Sequence, residues 1–586
     1  MPNSAPIKHM MVDTAHPAAL MVGLVALALT LILVVIRLRP KPPKGTDAPT
    51  DVFSAGRALA VLQDLLAEEQ PHPVGSAQND VVQERLIAHL EALGYEVEIQ
   101  AAESCREWEG QTHDVAVKNV LTRLPGRVDG PAVALIAHYD SVPPGPGVAD
   151  DGSNVAALIE IARILKQQVP MRNPIMFVFT DGEEAWMVGA EAFVQEHPWG
   201  KEIGVAINLE ARGTSGRSLM FETSIDNAWL IDAYARSVPS PESNSLMYEI
   251  YRTMPNDTDL TVFKEAGIAG LNFSFIGDGQ YYHTAEDNFA HLDLGSVQHQ
   301  GESVLAVARQ LASQDLNARP KGNAVYLSLL GLTTLRWPQA WTLPLVGLAA
   351  LLLLTCSAAL IWQGQTTIGA LLWGLLTALL SIVGSMLLGW GLVWLMSKIA
   401  GVKAAALPAL PTRIALWAGA VCCALLLSAA FGQRAGVWGA GLGTWILWEI
   451  LALALALTLI GGTSVILVPT LAATLLIALV AWSGIGSLAW ARDAILIAGA
   501  AFAGTIWLQW AILFEQAVGW AMNPAITLSV GLTMSALLPA MAVTRESALT
   551  RTGLTIAAAA IVIASSIVTT IRAGAIRQKA NAAKSH

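Results

Sequence analysis

Between Arg336 and Lys398 the chain runs for 61 consecutive residues without a Lys, Arg, Asp or Glu. That is far longer than one buried element of a soluble domain, whereas a bilayer takes a helix of about 20 apolar residues. The pattern then continues to the C-terminus. Beyond residue 340 eight apolar segments, 342–362, 367–397, 412–431, 438–459, 464–482, 493–513, 524–543 and 553–571, each have spanning length. In hydrocarbon a lone segment of this kind must be helical, because only a helix satisfies its own backbone polar groups. Trp337, Trp341, Trp362 and Trp482 fall near the proposed ends, as interfacial aromatic residues do. No sequence repeat relates the segments, which gives an inverted-repeat transporter little support.

The charges lie elsewhere. Residues 321–586 hold 4 acidic and 13 basic side chains, whereas residues 45–320 hold 40 acidic and 17 basic ones, a net charge of −23. An acidic globular domain at 45–320 therefore precedes a membrane domain of about eight helices at 321–586, and offers nucleic acid no basic surface. In the first segment, 1–44, the run from 18 to 36 is uncharged and is followed by Arg37, Arg39, Lys41 and Lys44. It lacks a small-x-small cleavage site and reads as a retained anchor. The Pro-rich stretch PKPPKGTDAPT at 40–50 is a linker. Of four cysteines only Cys105 lies in the globular segment, so neither a disulfide nor a cysteine-based zinc site can form there.

Within 130–285, apolar strands, polar turns and amphipathic helices alternate, the signature of an α/β sheet. Val133–Ala137, Ile175–Phe179 and Ile203–Leu209 read as buried strands and Val155–Lys166 as a helix. In such sheets ligands bind beyond the carboxyl ends of the strands. Those ends carry His138-Tyr139-Asp140, Asp181-Gly182-Glu183-Glu184 and Asn208-Leu209-Glu210; the turn PPGPGVADDGSN delivers Asp150 and Asp151, and Tyr281-Tyr282-His283 follows another apolar run. Each motif alone has an ordinary explanation, a strand-end hydrogen bond or a helix start. Together they bring imidazoles and carboxylates to one rim, a donor set suited to zinc. Two cations close together need a shared carboxylate, and of two adjacent glutamates one can face the metals while the other takes a proton from water.

HYD at 138–140, ADDGSN at 149–154, DGEEAWMVGAEAF at 181–193, INLEARGTSG at 207–216 and YYHTAEDN at 281–288 resemble, in order, the five motifs of the di-zinc aminopeptidases, family twenty-eight of the metallopeptidases. The layout of one anchor, a peptidase and many spans is similar to that family's membrane-embedded branch. The resemblance implies an α/β fold with a mixed, mostly parallel sheet flanked by helices, plus an α-helical multi-pass membrane domain. It implies two zinc ions per chain, one held by His138, Asp150 and Glu210 and the other by Asp150, Glu184 and His283. It makes Glu183 the general base, Asp140 the acceptor of the His138 imidazole's second N–H, and Tyr282 the transition-state donor. Two positions depart from the pattern: Glu210 stands where Asp is frequent, and Asn154 where Gly is frequent.

The expected activity is hydrolysis of peptide bonds as an aminopeptidase at a membrane, with peptides and membrane lipid as partners. The alternative is a transport or lipid-interacting protein with a vestigial peptidase domain. A one-zinc glutaminyl cyclase-like site is disfavoured by the presence of both His138 and Glu210. The loop Asn256-Asp257-Thr258-Asp259 reads equally as a cleft wall or a turn, and Glu449, in the middle of a span, as a structural or a functional carboxyl. Lys and Arg near span ends fall fourteen to five on the peptidase side, which points to the cytoplasm, while the resemblance points to a lumenal or periplasmic peptidase.

Overall fold

The computed structural model describes residues 19–108, 111–483, 488–543 and 548–583. It divides into two compact units, one of Val35–Thr342 with Thr458–Ser464, the other of the remaining helices.

The first unit is built on a seven-stranded sheet of β1 (Glu98–Trp108), β2 (Gln111–Leu124), β3 (Ala132–His138), β4 (Ile175–Thr180), β5 (Ile203–Ala211), β6 (Ser215–Thr223) and β7 (Ala269–Gly277), in the order β1-β2-β4-β3-β5-β7-β6. The central β4-β3-β5-β7 pairings are parallel and the outer pairings antiparallel. Every residue of β3, β4 and β5 is buried, as expected of strands covered on both faces, whose sequences are then nearly continuous apolar runs. Alternate residues serve opposite layers. Val133, Leu135 and Ala137 join the larger core with helices Asn154–Lys166 and Leu294–Ala312, while Ala132, Ala134 and Ile136 join Phe193, Leu260 and Phe263 on the other face. The strands and helix expected from the sequence are present, each extended by one or two residues.

This unit extends past the compositional boundary at 320. Two further strands, β8 (Ala324–Leu329) and β9 (Thr333–Pro338), pair antiparallel, and the Tyr326 side chain is fully buried in the main core. The apolar residues of β8 reflect burial in this core, whereas those of β9 are exposed or half-buried, and Arg336 of β9 is tied through Asp232 to helix Ala228–Ser237.

Among the described residues eight helices are long and apolar enough to cross a membrane. One of them, Ala409–Thr458, contains a break at Gly436, with φ 63° and ψ −178°, between the expected segments 412–431 and 438–459. Within this second unit Arg413 forms a two-pronged ion pair with Glu515, at 2.6 and 2.9 Å. Glu449 is buried, and neither carboxylate oxygen has a hydrogen-bond partner among the described residues.

Candidate metal centre

Parallel strands end on the same side of a sheet, and the register here makes those ends coincide. His138 lies opposite Thr180, and Glu210 opposite Ser274. His138 and Glu210 therefore stand at neighbouring strand ends, with Asp181–Glu184 just past β4. The turn before helix Asn154–Lys166 brings in Asp150 and Asp151, and the loop after β7 brings in Tyr282 and His283. His283 adopts φ 58°, a left-handed conformation that a side chain tolerates only where its surroundings enforce it.

Asp150 is at the centre of the cluster. Its Oδ1 lies 3.5 Å from Nε2 of His138, and its Oδ2 lies 3.2 Å from Nε2 of His283. His138 Nε2 is also 3.9 Å from Oε2 of Glu210, and His283 Nε2 is 3.0 Å from Oε1 of Glu184. Donor atoms of His138, Asp150, Asp151 and Glu210 form one tight group, those of Asp150, Glu184 and His283 a second, and those of His138, Glu183 and Glu184 a third. All five residues expected to hold metal thus converge, with Glu183 beside them.

These spacings suit a cation. Tetrahedral zinc with bonds of about 2.0–2.1 Å sets neighbouring donor atoms about 3.3–3.4 Å apart, within the range observed. His283 Nε2 is buried beside two carboxylate oxygens yet makes no hydrogen bond of acceptable geometry among the described residues, and Asp151 Oδ2 is likewise unpartnered. A nitrogen set 3.2 and 3.0 Å from two carboxylate oxygens without a well-aligned bond to either fits a shared cation better than a direct pair. His138 supports the same reading: its Nδ1 is 3.0 Å from the Asp140 carbonyl oxygen, which fixes the N–H there and leaves Nε2 as a lone-pair donor.

Asp140 acts differently from the expectation. The imidazole's second N–H meets the backbone carbonyl of Asp140, with the carboxylate farther off at 3.4 Å. The carboxylate oxygens instead accept the backbone N–H groups of Glu183 and Glu184, at 3.1 and 3.2 Å. The peptide groups of two adjacent glutamates offer two parallel donors, and the carboxylate meets both. Asp140 therefore anchors the glutamate loop.

Three side chains without an assigned role also support the cluster. Asp287 accepts the N–H groups of Ala149 and Asp150. Asn208, two residues before Glu210 and so on the same face of β5, donates to its Oε1 at 3.0 Å. Asp259 is fully buried at the first turn of helix Asp259–Glu265 and accepts the Thr180 hydroxyl, its other oxygen unpartnered among the described residues. Of the 256–259 loop, Thr258 and Asp259 are buried, whereas Asp257 stays exposed.

The electrostatics follow from crowding. Burial, with Glu210, Asp259 and Glu184 nearby, pushes the Glu183 carboxyl well above its usual range. Burial also pushes Glu210 up to about 8, with Asp150 and Asp259 adding to the effect. Burial opposes the charge on His283, but Asp150 and Glu184 outweigh it and raise the imidazole to about 9. Burial keeps the Tyr282 phenol protonated, helped by the charge of the Asp150, Glu184, Glu183 and Glu210 carboxylates. This is the local environment expected of a site built for positive charge.

Residues 119–308 match the peptidase family M28. Endoplasmic reticulum metallopeptidase 1 of Mus musculus is 33% identical over 233 residues, covering 38% of this chain and 26% of the relative. A vacuolar membrane protease of Candida dubliniensis is 33% identical over 277 residues, covering 44% of this chain and 29% of the relative. The alignments span only 26 to 38% of the length of the first curated relatives. A zinc aminopeptidase from Bacillus subtilis covers 44% of the chain and 95% of its own length at 16% identity, with a TM-score of 0.37. Residues 119–308 thus form a peptidase M28 domain, in a chain that also carries a set of membrane-length apolar helices.

Proposed function

We propose that the chain is a membrane-bound di-zinc aminopeptidase. The observation that carries this reading is the approach of two imidazole nitrogens, one to each oxygen of the single Asp150 carboxylate. A carboxylate addressed from both sides is the bridge that two cations require. In this reading His138, Asp150 and Glu210 hold one zinc, and Asp150, Glu184 and His283 the other. When bound, the two ions supply Lewis-acid charge that acidifies a water and polarises a carbonyl.

The remaining chemistry belongs to the chain. Glu183 is the proton carrier: its carboxylate stands with His138 and Glu184 at the edge of the cluster, placed to accept a proton from the attacking water and return it to the departing amine. Asp140 holds the amides of Glu183 and Glu184, so the base and its neighbour keep a fixed spacing. Tyr282, stacked on His283 with ring centroids 3.7 Å apart, offers its hydroxyl to the carbonyl oxygen as negative charge develops there. The dense carboxylates suit a free ammonium at the substrate's N-terminus.

Glu183→Gln tests the reading. The amide is isosteric and cannot carry the proton, so the variant is expected to keep its metal and to lose about 10²–10⁴-fold in turnover of N-terminally free peptides. Unchanged turnover of a peptide panel would overturn it, and would favour a vestigial domain.

A further inference from the structure

We infer that Arg212 receives a carboxylate of the substrate, and that this site prefers dipeptides, through their C-terminal carboxylate, or peptides with an acidic second residue; the inference rests on the peptidase reading above. On a strand, side chains two residues apart share a face. Asn208, Glu210 and Arg212 follow that period, and the Arg212 N–H continues the ladder by donating to the Phe275 carbonyl at 3.0 Å. Arg212 is the first residue past β5, and the proximity of its guanidinium to the Tyr282 ring puts it on the side of the metal cluster.

Its guanidinium lies 5.5 Å from the centre of the Tyr282 ring, and that ring is stacked on His283. The cation is therefore within about 9 Å of the His283 imidazole. An extended residue spans about 3.3–3.6 Å, so a dipeptide with its amine at the metal cluster carries its carboxylate about 7 Å away. Among the described residues the Arg212 guanidinium makes no hydrogen bond or ion pair, so its donors are uncommitted within the chain. The other side chains placed at this rim are carboxylates, imidazoles and a phenol. A half-buried guanidinium in such company would be expected to pair with one of those carboxylates; left unpaired, its forked donors match a carboxylate brought by the substrate.

The test uses the purified full chain with zinc and three substrates: Leu-Ala, Leu-Ala-amide and Leu-Asp-amide. The native chain is expected to favour Leu-Ala or Leu-Asp-amide over Leu-Ala-amide by about tenfold or more in kcat/KM, and the favoured one identifies the source of the carboxylate. Arg212→Met should bring that ratio to about one, mainly through KM, and Arg212→Lys should restore part of it. Equal turnover of all three by the native chain would overturn the inference while leaving the peptidase reading intact, and needs no variant to fold. A Met variant that slows all three by one factor would also overturn it, making Arg212 a packing residue on Tyr282. Failure of the metal-loaded native chain to cleave any of them or a longer peptide would end both readings.

Discussion

The Asp287 carboxylate accepts the backbone N–H groups of Ala149 and Asp150, at 2.7 and 3.1 Å. It thereby fixes the turn that presents Asp150 between the two imidazoles. Asp287→Asn replaces one acceptor oxygen with an N–H donor and sets it against a backbone N–H. Because supporting partners of this kind are worth about 10–100-fold in metal affinity, the variant should bind zinc that much more weakly. Competition with a chromophoric chelator measures it.

Asp140→Asn should behave differently. The His138 Nδ1 contact is to a main-chain carbonyl, which no side-chain substitution removes, so metal binding should fall less than in Asp287→Asn. The amides of Glu183 and Glu184 lose one acceptor, and kcat should drop by about tenfold or more, since a misplaced base is costly. Parallel measurement of zinc content and kcat separates the two effects; equal zinc loss in both variants would contradict the assignment.

A stability prediction comes from His299, fully buried away from the metal cluster. Its Nδ1 accepts the Ser218 N–H at 3.0 Å, and its Nε2–H donates to the Ser240 carbonyl at 2.8 Å. Burial and the neighbouring Arg217 hold this imidazole down at about 3, against an ordinary 6.5. Below pH 6.5 the unfolded chain takes a proton that the folded chain refuses, so this group's contribution is intact above 6.5 and is lost as pH falls towards 3. The slope for this single group approaches about 1.4 kcal/mol per pH unit. Unfolding midpoints of the native chain and His299→Gln should therefore diverge between pH 7 and 5, with the native chain losing more.

Gly301 tests the packing of helix Leu294–Ala312 against the N-terminal segment. A Cβ at this position would run into the Phe53 ring, which is 1% exposed. Gly301→Ala gains about 1 kcal/mol of helix propensity, but overpacking costs about 1–3 kcal/mol and should win. The unfolding midpoint should fall, and Phe53→Leu in the same chain should recover part of the loss.

What the sequence made legible follows from burial. β3, β4 and β5 are covered on both faces, so their residues are apolar without interruption and read as strands directly. The outer strand β1, EIQAAESCREW, mixes polar and apolar residues and gives no such signal. β8 and β9 share the charge-poor composition of the residues beyond 320, so composition alone does not assign them to the globular unit. At the site, ionisable residues at strand ends stood out because nothing in strand propensity calls for them. The role of Asp287 did not, since it lies in a hydrogen bond to a residue 137 positions away, and Asp259 stood out only as part of a polar loop, its partner Thr180 being 79 positions away. The two-residue period from Asn208 through Glu210 to Arg212 was a usable signal for both flanking residues.

The central claim is that Asp150 is shared between two cations. Elemental analysis of the purified full chain, native and Asp150→Asn, tests it most directly. The account predicts about two zinc equivalents in the native chain and loss of both in the variant, because the substitution withdraws charge from both donor sets. Trace metal in the native chain, or a variant that gives up one equivalent and keeps the other tightly, would contradict it.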